Sequence, residues 1–447
     1  MHRMIKLLGV IGLMALILAA CGGGGTTQAP TAAPAAPAAT AAPAAEATAA
    51  PAAAATAAPV AEATAAPAAE ATAAPSAGGA MAGPKITGEV TLWNAYGAGS
   101  SEEQALTEVI KKAQADNPDA KITVLAVPFD QIFNKFENEA ASGGGPDMYI
   151  APNDSLGKEV RAALLADLTD KLQGKLGDDL KVAVDGCTVD GKLYCVPESL
   201  KAVAMFYNKD KVQTPPKTTD ELMTAVKGGM KLGINQSAYH NYGFFGAFGG
   251  KLLDDAGKCV ADQGGFADAL QYLVDLKAAG AQFFTDEGKL KDAFQTGQLD
   301  ATINGPWNTG DFKKALGDKL AVAPMPAGPK GPAAPLTGTD GFYINVNSKN
   351  VDGAIALAQY LTSPASAKVF VDMAGHIPAN KTVEITDPIT KGFADAAATG
   401  FPRPQVAELD NFWTPFGDML TKVMEGQVKP GQGVTDACTA MNKANNK

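Results

Sequence analysis

Two rhythms of apolar and polar positions alternate along the chain. Residues 89–94 (EVTLWN) form a short β-rich run, followed by Gly97-Ala98-Gly99-Ser100-Ser101. Ser100 with Glu103, or Ser101 with Gln104, makes a capping box at the start of a helix. Leu106, Val109, Ile110 and Ala113 then fall on one helical face, and Asn117-Pro118 stops it. Residues 122–127 predict a second strand. Ile132, Phe133, Phe136 and Ala140 predict a second helical face, which 143–146 (GGGP) ends. Residues 147–151 predict a third strand. This β-α-β-α-β order is that of a mostly parallel sheet covered by helices. The alternation returns with strand-like runs at 202–207, 232–235, 301–304 and 342–346, with helical patterns between them. From Ala354 the chain reads as nearly all helix, broken at Pro364, Pro378 and Pro402-Arg403-Pro404. The expected architecture is α/β, with two doubly wound lobes and a helical tail, and ligands in such sheets sit beyond the carboxyl ends of the strands.

The first 83 residues do not share these rhythms. Residues 1–21 have a basic start and an apolar run from Leu7 to Ala20, too short to span a bilayer, which reads as a signal peptide over 1–20. Residues 22–83 contain no Leu, Ile, Phe, Tyr, Trp, Lys or Arg. Ala, Pro, Thr and Gly dominate, with Glu-Ala-Thr-Ala-Ala-Pro repeated at Glu46, Glu62 and Glu70. Such a stretch cannot bury enough apolar area to offset chain entropy, so a disordered linker is expected over 21–84. The remaining 364 of 447 residues suffice for two lobes with substantial cores.

Charge narrows the partners. The net charge is −10; setting aside Arg3, Lys6 and the three linker glutamates leaves −9 on the folded part. That balance argues against nucleic acid and gives no support to binding anionic lipid by charge. With three histidines (His2, His240, His376) and no His/Cys spacing suited to a metal, neither a metal nor another cofactor is expected.

Of the five cysteines, Cys21 stands apart. Cys187, Cys195, Cys259 and Cys438 allow three pairings. Asp190-Gly191 between apolar residues is a hairpin signal that would bring Cys187 and Cys195 together. This favours Cys187–Cys195 and leaves Cys259–Cys438, in an exported protein where disulfides persist.

Leu18-Ala19-Ala20-Cys21 resembles the lipobox of bacterial lipoproteins, which implies a diacylated Cys21 at the outer face of the cell membrane. Several ordered pieces resemble the extracellular solute-binding proteins of ABC importers, the maltose-binding-protein-like group. They are 143–147 (GGGPD), 191–194 (GKLY) with 196–198 (VPE), 207–210 (YNKD), 215–218 (PPKT) and 303–307 (INGPW), with weaker matches at 377–379 and around Phe412-Trp413. The resemblance implies a type II periplasmic-binding fold: two α/β lobes joined by a hinge, closing on a ligand. It places one lobe at 85–199 plus 341–388 and the other at 200–340 plus 389–447. Neither disulfide then crosses the cleft. It implies a monomeric binding lipoprotein with no enzymatic step, delivering a carbohydrate, expected to be an oligosaccharide, to permease subunits.

A sugar site pairs aromatic platforms with planar polar groups. The family counterparts of Trp307 and Trp413 stack on sugar, and Asp154 aligns with an aspartate that bonds sugar hydroxyls. Tyr239 and Tyr242 lie in what reads as a loop after residues 232–235, where the family has an aromatic contact. Tyr96, Asp340 and Arg403 stand at loops and crossovers, and Trp93 inside a strand is claimed by both core and cleft. Lys201 is a departure, because relatives carry a sugar-accepting glutamate there. Either it donates to sugar oxygens, or the ligand is anionic, or Glu198 takes over the contact. Competing readings are the same fold with a sugar acid, peptide or other solute, a secreted glycan hydrolase, and a glycan adhesin or sensor. No G-x-S-x-G or H-E-x-x-H stands in the sequence to favour the hydrolase.

Overall fold

The strands sort into two sheets. In the first, Ile377–Pro378, Cys195–Lys201, Leu336–Ile344, Met148–Pro152, Gly88–Asn94 and Ala120–Ala126 lie side by side in that order. Gly88–Asn94 runs parallel to both its neighbours, while Leu336–Ile344 runs antiparallel to its own. In the second, the order is Leu320–Ala323, Ala204–Asn208, Ala301–Asn304, Leu232–Asn235 and Gln282–Phe284, the last three parallel. This is a computed structural model, and it describes residues 84–447. The signal sequence, Cys21 and the 22–83 linker lie outside the described residues. Among the described residues, no helix is long and apolar enough to cross a membrane.

Local chemistry accounts for the first lobe's elements. Ser100 caps the helix Ser101–Asp116 by accepting from the Glu103 backbone N–H at 3.1 Å, which selects the first of the two capping boxes. Ala105, Leu106, Val109 and Ala113 are its buried face. The helix Phe129–Ala141 buries Ile132, Phe136 and Ala140, with Phe133 half-covered. Asp190 (φ 50°) and Gly191 (φ 76°) form the left-handed pair of a tight hairpin turn between Thr188–Val189 and Lys192–Leu193. The hairpin brings Cys187 and Cys195 into a disulfide with Cα atoms 5.1 Å apart, and Cys259–Cys438 is the other bridge, at 5.5 Å. Gly341 is needed there, since a Cβ would stand 2.3 Å from Cys195 Sγ. Each disulfide lies inside one core: Cys187 and Cys195 with the first sheet, Cys259 and Cys438 with the second.

Two expectations about boundaries need correction. The expected divisions at 199/200 and 340/341 cut strands of the first sheet, because Cys195–Lys201 and Leu336–Ile344 each continue through them. A strand paired along its length cannot change sheets midway, so the chain crosses at Ala202-Val203 and again between Ala323 and Leu336. The strand expected at 342–346 begins at Leu336, with Thr337, Thr339 and Asp340 buried. The second correction concerns Tyr239 and Tyr242, which lie on a helix, Ala238–Ala247, capped by Ser237, and not in a loop. The C-terminal part is helical, with Pro364, Pro388 and Pro430 each in the first turn of a helix, where the missing N–H costs nothing.

A third apolar cluster joins the lobes near the crossovers, combining Leu200 and Ile377 of the first sheet with Phe206 and Leu320 of the second. Phe393, on the helix Pro388–Thr399, packs 4.8 Å from Phe206. The lobes also touch on both flanks. Ser101 Oγ donates to Asp311 Oδ1 at 2.7 Å, and the helix Leu156–Arg161 packs against the turn Ala407–Phe412.

Candidate functional site

The carboxyl ends of the parallel strands meet between the two sheets. Asn94 and Pro152 end first-sheet strands there, as Asn235 and Asn304 end second-sheet strands. The residues just beyond them, Tyr96, Asn153, Asp154, Tyr239 and Trp307, are therefore brought close by topology.

On the first-lobe side, five ionisable residues form one buried network. Lys201 Nζ donates to Glu102 Oε1 at 2.7 Å and lies 3.3 Å from Asp340 Oδ2. His376 Nε2 is 2.8 Å from Glu102, and its Nδ1 is 2.9 Å from Glu198. Cross-strand pairing places Lys201 opposite Gly338, beside Asp340, and the helix Ser101–Asp116 delivers Glu102 from its first turn. Burial alone disfavours every one of these charges, yet their mutual attraction prevails at four of them. Against burial, Lys201 and His376 pull Glu102 down to about 2. Against burial, Glu198 and Glu102 raise His376 to about 9. Glu198 is lowered, chiefly by His376, and Lys201 is raised by its three carboxylates. Asp340 goes the other way: burial dominates and lifts it to about 6. Tyr96 packs its ring against Phe370 and His376 above this network.

On the second-lobe side the wall is aromatic. Trp307 lies with its ring centre 6.0 Å from Tyr239 and 5.7 Å from His240. The ring folds back over Gly305, where a Cβ would stand 1.9 Å from it. Glu287 fixes the backing: it accepts from Asn235 at 2.7 Å and from Asn304 and Asn308 at 2.8 Å each. Trp413 begins the helix Trp413–Met424. Arg403 bridges the two sides. Its guanidinium lies 5.3 Å from both the Tyr239 and Trp413 ring centres, and it donates to Asp154 and, at 3.2 Å, to Asn153. Burial pulls Arg403 down to about 9, so it is charged at neutral pH.

Several buried polar atoms at these walls lack a protein partner among the described residues: Tyr96 Oη, Asp340 Oδ1, Tyr239 Oη, Trp413 Nε1 and Arg403 Nε. Each such orphan costs about 1–3 kcal/mol, and orphans concentrated in one place mark where a polar ligand is received. A cavity of about 540 Å³ lies beside Arg403, lined by Asn153, Lys181, Asp185, Thr337, Thr339 and Gln405 among others.

Direct contacts thus join Lys201 with Asp340, Tyr96 with His376 of the same network, Arg403 with Asp154, Tyr239 and Trp413, and Trp307 with Tyr239. Tyr242 and Trp93 share none of these contacts. Tyr242 is enclosed by Phe245, Phe266, Phe401 and Phe412, a core position of the second lobe. Trp93 is buried in the first lobe's core, with the Lys135 ammonium 4.5 Å from its ring. Lys201 is paired with Glu102 and Asp340. Sequence reading singled out neither Glu102 nor Glu287 nor His376 for the site. An acidic residue just after a helix cap was the one available signal for Glu102; none existed for Glu287.

Comparison with known proteins agrees with this geometry. The sequence profile of a family described as bacterial extracellular solute-binding protein matches residues 108–398. A maltooligosaccharide ABC transporter solute-binding lipoprotein of Streptococcus pneumoniae is 26% identical over 387 residues, covering 77% of this chain and 90% of that one. A maltotriose-binding protein of Pyrococcus abyssi is 28% identical over 355 residues, covering 73% and 75%. The solved structure of the Thermus thermophilus maltotriose-binding protein, bound with maltotriose, superposes with a TM-score of 0.74 at 29% identity, covering 79% of this chain and 99% of that one.

Proposed function

The chain belongs to the bacterial extracellular solute-binding protein family, and on that premise we propose that it captures an oligosaccharide of the maltooligosaccharide class between its lobes and delivers it to an ABC importer. The observation that carries this reading is the pairing of the Trp307–Tyr239–Trp413 wall with unpartnered polar atoms on both sides of the cleft. A pyranose ring offers apolar C–H faces to aromatic platforms and hydroxyls to the polar rim. The relatives named above support the same ligand class. In this reading Tyr96, Asp154, Tyr239, Trp307, Asp340, Arg403 and Trp413 contact ligand, and Lys201 acts through its partners. The lobes are 85–201 with 336 to about 387, and 203–335 with the remainder of the tail. Closure of the lobes on ligand signals occupancy to the permease, and no covalent step follows. The protein acts as a monomer, tethered to the outer face of the membrane by a lipid on Cys21.

Calorimetry and thermal shift on the purified protein test this with maltose, maltotriose, longer maltooligosaccharides, a peptide mixture and glucuronate. We expect maltotriose or longer to bind and to raise the melting temperature. At 100 times the dissociation constant the gain is about 2.7 kcal/mol. Binding of peptide or glucuronate with no response to any maltooligosaccharide overturns the reading.

A further inference from the structure

We propose that Asp340 sets the charge of the ligand, so that the cleft accepts neutral and amine-bearing oligosaccharides and refuses acidic ones. This deepens the oligosaccharide reading above and rests on it. The argument is a balance of buried charge. Both buried cations closest to the cleft are already paired: Lys201 with Glu102 and Asp340, Arg403 with Asp154. His376 is held between Glu102 and Glu198. The first-lobe network therefore sets three carboxylates against two cations, and no cation is left over for an anionic ligand. The surplus negative charge has a buried, unpartnered oxygen in Asp340 Oδ1, on a residue 4% exposed. Three further unpartnered buried hydroxyls lie within the field of that carboxylate, Tyr96 and Tyr343 from the first lobe and Tyr239 from the second. A ligand ammonium or hydroxyl donor satisfies Asp340 Oδ1. A ligand carboxylate at the same place is repelled and leaves that oxygen unpaired.

The surroundings also give the selectivity a pH dependence. Around Asp340 are Glu102 from the helix Ser101–Asp116, Glu198 and Lys201 from the neighbouring strand, Tyr343 from its own strand, His376, Tyr96 and, from the other lobe, Tyr239. Glu102, pulled to about 2, and Glu198, also lowered, stay ionised above pH 5. His376, lifted to about 9, and Lys201, also raised, stay protonated up to pH 8. All three tyrosines are raised and stay neutral. Asp340, lifted by burial to about 6, is the member that changes charge between pH 5 and 7.5. The preference for an amine is then full at pH 7.5 and is lost as the pH falls through 6.

The test is calorimetry with maltotriose and with maltotriose carrying a single amine or a single carboxylate at C6 of each ring in turn. At pH 7.5 at least one amine isomer should bind tenfold tighter than the carboxylate isomer of the same ring. Asp340→Asn should bring that pair within threefold, and so should pH 5 in the unmodified protein. The pH series needs no variant, so a poorly folding Asp340→Asn leaves the proposal falsifiable. A carboxylate isomer that binds tighter than maltotriose would make Lys201 a ligand contact and overturn it. So would a ranking unchanged by both Asp340→Asn and pH 5. If maltotriose and its longer homologues do not bind at all, the oligosaccharide reading has failed instead.

Discussion

On one side of the cleft, Glu102, Glu198, Lys201, Asp340 and His376 bond chiefly to one another; on the other, Tyr239, Trp307 and Trp413 offer ring faces and unpartnered N–H and O–H groups. The first wall is expensive to assemble and stiff once assembled. Its charges tolerate burial only because each has a partner at hydrogen-bond range. The second wall needs no compensation inside the protein, since aromatic rings gain by leaving water. The difference separates two tasks. On the proposed reading, the charged wall selects the ligand and the aromatic wall supplies contact area and affinity. Substitutions on the two walls should therefore fail in different assays.

The largest effect is expected from Lys201→Met. Removing the lysine leaves Glu102, Glu198 and Asp340 around His376 alone, and breaking a buried pair by deleting one partner costs about 3–5 kcal/mol. Urea unfolding should show that loss. A variant as stable as the parent would mean that water already screens the network. Next comes Trp413→Ala or Trp307→Ala. Each should weaken maltotriose binding by about 2 kcal/mol, roughly thirtyfold, a hot-spot magnitude. Calorimetry measures it, and unchanged affinity would remove that ring from the ligand wall. The smallest effect separates the walls by pH. His376 is lifted to about 9 from an ordinary 6.5, so its contribution to stability is complete below about pH 6.5 and is lost as pH rises through 9. Melting temperature should fall between pH 6.5 and 9.5. His376→Gln should flatten that fall, whereas Trp307→Ala should leave its slope alone.

Much of the frame was legible in the chain. Period-3.6 and period-2 patterns over 89–151 reproduce the observed strands and helices to within a few residues. The Asp190-Gly191 turn foretold the Cys187–Cys195 bridge, because a tight turn specifies register locally. Trp307 was singled out by the family resemblance, two residues beyond Gly305 at a strand end. The strand start at Leu336 was not. Its Thr337, Gly338, Thr339 and Asp340 look like a polar loop, and only hydrogen bonding and ion pairing at the crossover make their burial tolerable. Tyr242 misled because three residues along a helix separate a cleft-facing ring from one enclosed by phenylalanines.

By itself, then, the sequence determined the alternating α/β elements and the Cys187–Cys195 pair, which follow from periodicity and neighbours close in the chain, while Cys259–Cys438 followed by elimination and most of the aromatic and carboxylate candidates from the family resemblance. Lys201 shows what it could not determine. A lysine beside a cleft reads as a free cation until its surroundings are known. Its partners Glu102 and His376 stand 99 and 175 positions away and meet it only when the helix, the strand and the hinge come together. Charge at a buried site is set by what surrounds it in space, so the tertiary structure alone decided that this lysine pairs with its acidic neighbours and that Asp340 Oδ1 is left without a protein partner.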